Sequence, residues 1–224
     1  IKSISFNDGG FMIFRNKNTF GVLRYPKFKF RPSQSDLMHL EIFFNGKPII
    51  IDSGTYSYNT DKKWIDYFSG IKSHNSVEFD GHDSMKKISR FLFNSWPEAK
   101  NLNYQIRDSF TEWEGEYKNY KKNFHKRKVI LKNNCWHIID TIKNFSDYAV
   151  LRWRLVDNHY DIKNNCIKIP DGKITINKVD CNIKKIAVNN AWNSNYYGEK
   201  ELMKVIEITI DKSGSVETLI ELNN

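Results

Sequence analysis

Asp52, Tyr56, Tyr58 and His74 are the residues of this sequence best placed to do chemistry. Asp52 follows the apolar run at 49–51, and a carboxylate ending a buried strand is costly unless it is paired, caps a turn or binds a metal. His74 stands just before a second strand-like run, 76–79, and Gln34, Asp36, His39 and Glu41 lie on or before the preceding one. Neighbouring strands run about 5 Å apart, so residues at three adjacent strand ends can converge on one ion. A carboxylate with one or two imidazoles suits zinc or a similar divalent cation. Turn capping by Asp52 and a satisfied core histidine at His39 account for the same pattern. Tyr56 and Tyr58 share a face of an extended segment, where a tyrosine serves as acid or base or simply packs. His82, His125, His137 and His159 each stand alone and read as structural or surface residues.

The elements that must hold these residues are strands. Residues 11–15 and 19–25 read as two strands joined by a short Asn-Lys-Asn turn, followed by a basic, proline-bearing loop. Residues 36–44 alternate, with Met38, Leu40, Ile42 and Phe44 on one face and Leu37, His39, Glu41 and Phe43 on the other. Asn45-Gly46 turns the chain into residues 49–51, whose unbroken apolar character predicts a central strand. Residues 60–72 are irregular, with room for one helical turn. Further strands are predicted at 76–79, 90–93, 104–113, 124–131, 135–142, 148–156, 167–169, 173–179, 183–188, 202–210 and 216–222. The run 114–123 reads as a solvated connection. Turn signals recur about every 8–15 residues and no long helical period appears, which predicts an all-β chain: one large antiparallel β-sandwich spanning residues 1–224.

Composition narrows the function classes. Hydrophobic residues make up 40% and aromatic residues 14%, enough for a substantial core. No apolar run reaches the roughly 20 residues of a membrane helix, so no membrane partner is expected. The 35 Lys and Arg outnumber 26 Asp and Glu, giving a net charge of +9 that favours acidic partners, although scattered surface lysines produce the same excess. Motifs of nucleic-acid binding with known spacing are absent, so none is expected to bind. The three cysteines show no CxxC spacing and read as free thiols. The chain starts on Ile rather than Met, as a piece of a longer protein would.

The stretch QSDLMHLEIFFNGKPIIIDSGTYSYN, then WIDYF, then SHNSVEFDGHD resembles the signature of heparinase II/III-like proteins, in the branch found with capsule and O-antigen gene clusters. GGFMIFR, RFLF, FHKRKVIL and WRL at 153–155 extend the resemblance over about residues 8–156. It implies a C-terminal sandwich that in the whole enzyme follows an N-terminal α/α toroid. The pair would cleave uronate-containing polysaccharide by β-elimination, in a cleft between them. It implies an acidic polysaccharide and the protein's own toroid as partners, inactivity of the sandwich alone, and a periplasmic or secreted setting ahead of others. The family's metal ligands, often holding zinc in a structural role, map onto Asp52 and His74. Its third ligand, a histidine, falls on Gln34. So Gln34 contributes an amide oxygen, His39 substitutes through another geometry, or the metal is lost. Tyr58 best matches the tyrosine that the sandwich lends to the cleft, with Tyr56 second. Arg24, Arg31 and Lys72 are candidates for steering an anionic glycan. The other reading is a non-catalytic glycan-binding or scaffold module of a degenerate lyase.

Overall fold

The computed structural model describes residues 2–156 and 160–223, so His159 lies outside the described residues. The chain opens with a meander of β1 (Ile4–Phe6), β2 (Phe11–Arg15) and β3 (Thr19–Arg24), followed by a hairpin of β4 (His39–Phe44) and β5 (Lys47–Ile50). Helix α1 (Lys62–Ser69) and one 3-10 turn (Ile71–Ser73) lead into β6 (Val77–Phe79). A small hairpin follows, β7 (Lys86–Ser89) with β8 (Leu92–Asn94). Four strands then run up and down: β9 (Lys100–Ile106), β10 (Thr111–Lys118), β11 (Phe124–Lys132) and β12 (Cys135–Lys143). After β13 (Ala149–Leu155) come the short β14 (Ile162–Lys163), β15 (Cys166–Ile169) and β16 (Gly172–Lys178). The longest hairpin, β17 (Asn182–Asn193) and β18 (Glu201–Lys212), precedes the closing strand β19 (Gly214–Leu222).

The strands form two large antiparallel sheets. The first runs β1-β2-β3-β4-β5-β13-β18-β17, with β6 also paired to β13, and the second runs β14-β15-β16-β19-β12-β11-β10-β9. Alternation builds the core between them: Leu40, Ile42 and Phe44 of the first sheet and Val129, Leu131, Trp136 and Ile138 of the second are all buried. Gly21 is required where the sheets touch, because a Cβ there would lie 2.3 Å from the Trp136 ring. The indole N–H groups donate across the interior, Trp136 to Thr19 Oγ1 at 3.0 Å and Trp153 to Thr218 Oγ1 at 3.1 Å.

Four local expectations change. Residues 104–113 are not one strand but the end of β9, a turn and the start of β10, and Arg90 and Phe91 form the turn between β7 and β8 rather than strand. Residues 60–72 hold an eight-residue helix rather than a single turn, with Ile65 and Phe68 buried and the Phe68 ring 5.3 Å from that of Tyr56. The run 114–123 is not all connection, since Glu114 to Lys118 continue β10. Its charges point outward and pair across the strands, Glu112 with Lys128 at 2.9 Å and Glu114 with Lys126 at 3.0 Å, while Trp113 and Tyr117 point inward.

Candidate functional site

The outer face of the first sheet carries the site. Strand β13 is buried along its whole length. Its inward residues fill the sandwich core, while the outward-facing Arg152 and Arg154 are buried as well. Arg154 donates to Tyr67 Oη at 3.4 Å and to the Lys72 carbonyl at 3.3 Å, and also to the Trp192 carbonyl, so it fastens α1 and the 3-10 turn to the sheet. Arg152 pairs with Glu78 at 2.7 Å and Glu207 at 2.8 Å. The segment before β6 is thereby held over the ends of β4 and β5, where His39, Asp52 and His74 meet.

His74 is fully buried, His39 nearly so, and the Asp52 side chain keeps 24% of its surface exposed. His74 Nδ1 lies 2.6 Å from Asp52 Oδ1. Asp52 Oδ2 accepts the Gly54 backbone N–H at 3.0 Å, so the carboxylate caps its own turn as well as pairing with the imidazole. Gly54 has a φ of +77° and packs so closely on Ser194 that a Cβ would lie 2.2 Å from its carbonyl oxygen. Burial pushes the Asp52 carboxyl up, but His74, then His39, outweigh it and hold the group well below the usual carboxylate range. Burial pushes His74 down, but the Asp52 carboxylate outweighs it and the net shift is upward.

Asn75 organises the surroundings. Its side-chain amide donates to the Leu40 and Ile51 carbonyls, both at 2.9 Å, and its Oδ1 accepts the Arg154 backbone N–H at 2.7 Å. One residue thus ties β4, β5 and β13 together. Its own backbone N–H donates to His39 Nδ1 at 2.9 Å. His39 Nε2 then faces Asp52 Oδ1 at 3.7 Å and Glu41 Oε1 at 3.6 Å.

His39, Asp52 and His74 each offer a ligand atom, all within 4.8 Å of one another. Two buried imidazole nitrogens, His39 Nε2 and His74 Nε2, have no hydrogen-bond partner among the described residues. Donor types and spacing suit a divalent cation. Gln34 is engaged elsewhere, donating to Thr55 Oγ1 at 3.3 Å.

The two tyrosines part company. Tyr56, with a φ of +65°, turns toward α1. Lys200 Nζ sits 4.6 Å from the ring centroids of Tyr56 and Trp64, 5.9 Å from that of Trp192, and 3.2 Å from Tyr56 Oη. Tyr58 is 56% exposed, with its ring 6.0 Å from Phe91 and 5.9 Å from Tyr197. It lines a small cleft with Gln34, Thr55, Ser57, Arg90 and Phe91. Asp52 and His74 therefore touch each other, while Tyr58 occupies a neighbouring surface six residues along the chain.

Of the three expected cations, Arg24 has its charge met by Asp36 at 2.6 Å and stacks on Phe11 at 4.8 Å. Lys72 pairs with Glu78 at 3.2 Å, and Arg31 is exposed in its loop. Sequence reasoning missed Trp192, Tyr197 and Lys200. They belong to the β17–β18 hairpin, whose loop docks on residues 53–58 through Ser194 N–H to the Ser53 carbonyl and Gly198 N–H to the Tyr56 carbonyl, both at 2.7 Å. The only signal was an aromatic pair, Tyr196-Tyr197, inside a polar turn.

Two of the lone histidines are not alone. His137 Nε2 pairs with Glu217 at 2.6 Å. His125 Nε2 lies 2.7 Å from Asp140 Oδ1, deep in the sandwich, beside Arg127.

A family model described as heparinase II/III-like, C-terminal, matches residues 2–220. Comparison with curated proteins yields no match. Among solved structures, a heparinase III gene product superposes with a TM-score of 0.83 at 19% identity, over 98% of this chain and 35% of that one. Heparan sulfate lyase HepC from Pedobacter heparinus gives 0.77 at 17% identity, over 100% and 37%. A chondroitin AC lyase from Streptomyces coelicolor gives 0.63 at 8% identity, over 99% and 33%. At these identities the likeness speaks to the fold, and the chain spans about a third of each structure's length.

Proposed function

The chain belongs to the heparinase II/III-like family, of which it has the C-terminal domain, and from that membership we propose that it is the sandwich part of a lyase acting on acidic, uronate-containing polysaccharide. The observation that carries the reading is the family match over nearly the whole chain, joined to an Asp52–His74 pair at 2.6 Å beside two tyrosines and a caged lysine. In β-elimination the uronate carboxylate is neutralised and a base takes the proton at C5. The C4–O bond then breaks, a C4–C5 double bond forms, and an acid protonates the leaving oxygen. Tyr58 is the tyrosine that this domain would present to the sugar, since it is exposed beside the small cleft that it lines. Tyr56, held against Lys200, is second choice. A toroid elsewhere in the whole protein would supply the remaining acid and base, and this domain alone would be inactive.

Within this reading a divalent ion, zinc by donor type, would be held by Asp52 and His74. When bound it would supply a structural tie between the β5 end and the turn before β6. The second reading, a glycan-binding module without activity, is favoured by Gln34 donating to Thr55 instead of joining Asp52 and His74.

The test is incubation of the intact protein with acidic polysaccharides. A rise in ultraviolet absorbance from an unsaturated uronate is expected. Glycan binding without that chromophore would replace the lyase with the module.

A further inference from the structure

We infer that His39 carries its proton on Nε2, as a donor toward the Asp52 and Glu41 carboxylates rather than a metal ligand, and that Arg127 in the opposite sheet is the positioning residue that fixes this. His39 Nδ1 accepts the Asn75 backbone N–H at 2.9 Å. A neutral imidazole has one N–H and one lone pair. With the Nδ1 lone pair taken, the proton sits on Nε2. Binding a metal through Nε2 needs the reverse, with Nδ1–H donating to an acceptor. Turning the ring over would leave the buried Asn75 N–H without a partner, which folded backbones avoid. What Nε2 faces agrees: two carboxylate oxygens, Asp52 Oδ1 at 3.7 Å and Glu41 Oε1 at 3.6 Å, which favour a proton-bearing nitrogen over a bare lone pair there.

The Asn75 N–H is aimed by what holds the residue on both sides of its Cα: the side-chain bonds to the Leu40 and Ile51 carbonyls, and Arg127 at the Asn75 carbonyl, which belongs to the next peptide. Arg127, wholly buried in β11, reaches across the sandwich interior with its guanidinium 4.7 Å from the Trp153 ring centroid. Its Nη1 donates to two carbonyls, Met38 and Asn75, the latter at 2.9 Å. Met38 is the residue before His39 and Asn75 the residue after His74. Met38 has a φ of +57°, a conformation that needs outside support. One guanidinium therefore yokes the two segments that bear the imidazoles. Its other donors, Nε and Nη2, are anchored on Asp140 at 2.7 and 3.2 Å, and His125 shares that carboxylate. Nothing in this cluster reaches the surface.

The test is nitrogen NMR on the 15N-labelled chain after chelation. The expected result is a pyridine-like Nδ1 and a pyrrole-like Nε2 for His39, with a scalar coupling across the hydrogen bond from the Asn75 amide nitrogen to Nδ1. A protonated Nδ1 overturns the proposal. Arg127→Lys keeps a charge but loses the double reach, and is expected to weaken that coupling or mix the tautomers. His125→Gln, in the same cluster but touching neither carbonyl, is expected to leave them alone. Equal disturbance by both variants would reduce Arg127 to ordinary core packing. Should Arg127→Lys fail to fold, Asp140→Asn loosens the same anchor. A second arm rests on the ion-site reading above: with 113Cd2+ added, coupling of the metal to ring protons is expected for His74 and not for His39. Coupling to His39 overturns the proposal. Absence of any cadmium binding would sink the ion site, and the tautomer would then decide the proposal alone.

Discussion

Two aspartate–imidazole pairs sit in this domain with nearly the same contact, His74 to Asp52 at 2.6 Å and His125 to Asp140 at 2.7 Å, and their imidazoles are shifted in opposite directions. At Asp140 a guanidinium completes the carboxylate. Arg127 holds it with two bonds, and burial drives His125 below its ordinary value despite the carboxylate beside it. At Asp52 no arginine or lysine reaches the carboxylate among the described residues. Its balancing charge has to come from an imidazolium or a bound cation, and His74 is driven upward accordingly. The comparison teaches that the fixed cation, not the Asp–His contact, separates a finished structural cluster from a site with charge left to satisfy. It also explains why one pair lies in the core and the other where Asp52 keeps an opening to solvent.

The largest expected effect breaks the finished cluster. Arg127→Met leaves Asp140 buried without its cation, and a loss of about 3–5 kcal/mol is expected in urea unfolding. A loss under about 1 kcal/mol would mean that His125 can take over the charge. Asp52→Ala comes next. It removes the partner of a buried imidazole and the cap on Gly54, for roughly 1–3 kcal/mol in chelator. Zinc should raise the melting temperature of the wild-type chain and leave that of Asp52→Ala unmoved.

The two histidines should also respond to pH with opposite sign in chelated protein. The folded-state value of His74 lies above its ordinary 6.5, so its contribution is fully present below that pH and fades as pH rises through the raised value. The folded-state value of His125 lies below 6.5, so near that pH the unfolded chain binds more protons and stability falls on acidification. His74→Gln should therefore flatten the alkaline limb of a stability profile, and His125→Gln the limb just below pH 6.5. Matching profiles for the two variants would mean that the fixed cation makes no difference. The smallest effect belongs to Tyr58→Phe. Trimming an exposed side chain should cost under about 0.5 kcal/mol, while turnover by the intact protein falls. A larger loss of stability with unchanged turnover would make Tyr58 a packing residue.

Much of this architecture was legible because sheet faces alternate, and that alternation survives in residues 36–44, 124–131 and 135–142. Helix α1 was not, because Lys62, Lys63 and Asp66 interrupt a stripe of only two turns, too short for its period to emerge. The buried cluster was written in the sequence yet unread. His125 and Arg127 share their face with Val129 and Leu131, and Asp140 shares its own with Trp136 and Ile138. Charges at inward positions on paired strands were the signal, and the register Arg127 to Asp140 completes it. At the site, residue types pointed to Asp52 and His74. That His39 joins them and Gln34 does not depends on the turn at Met38, whose positive φ breaks the strand pattern that would have set their faces. Lys200 could not be read at all, since its three rings come from residues 56, 64 and 192.

The most direct measurement is calorimetric titration of zinc into the chelated wild-type chain and into Asp52→Asn and Asp140→Asn. One equivalent should bind to the wild type, none to Asp52→Asn, and one still to whatever fraction of Asp140→Asn is folded. No zinc uptake by the wild type, or uptake that survives Asp52→Asn, would contradict an ion site at Asp52.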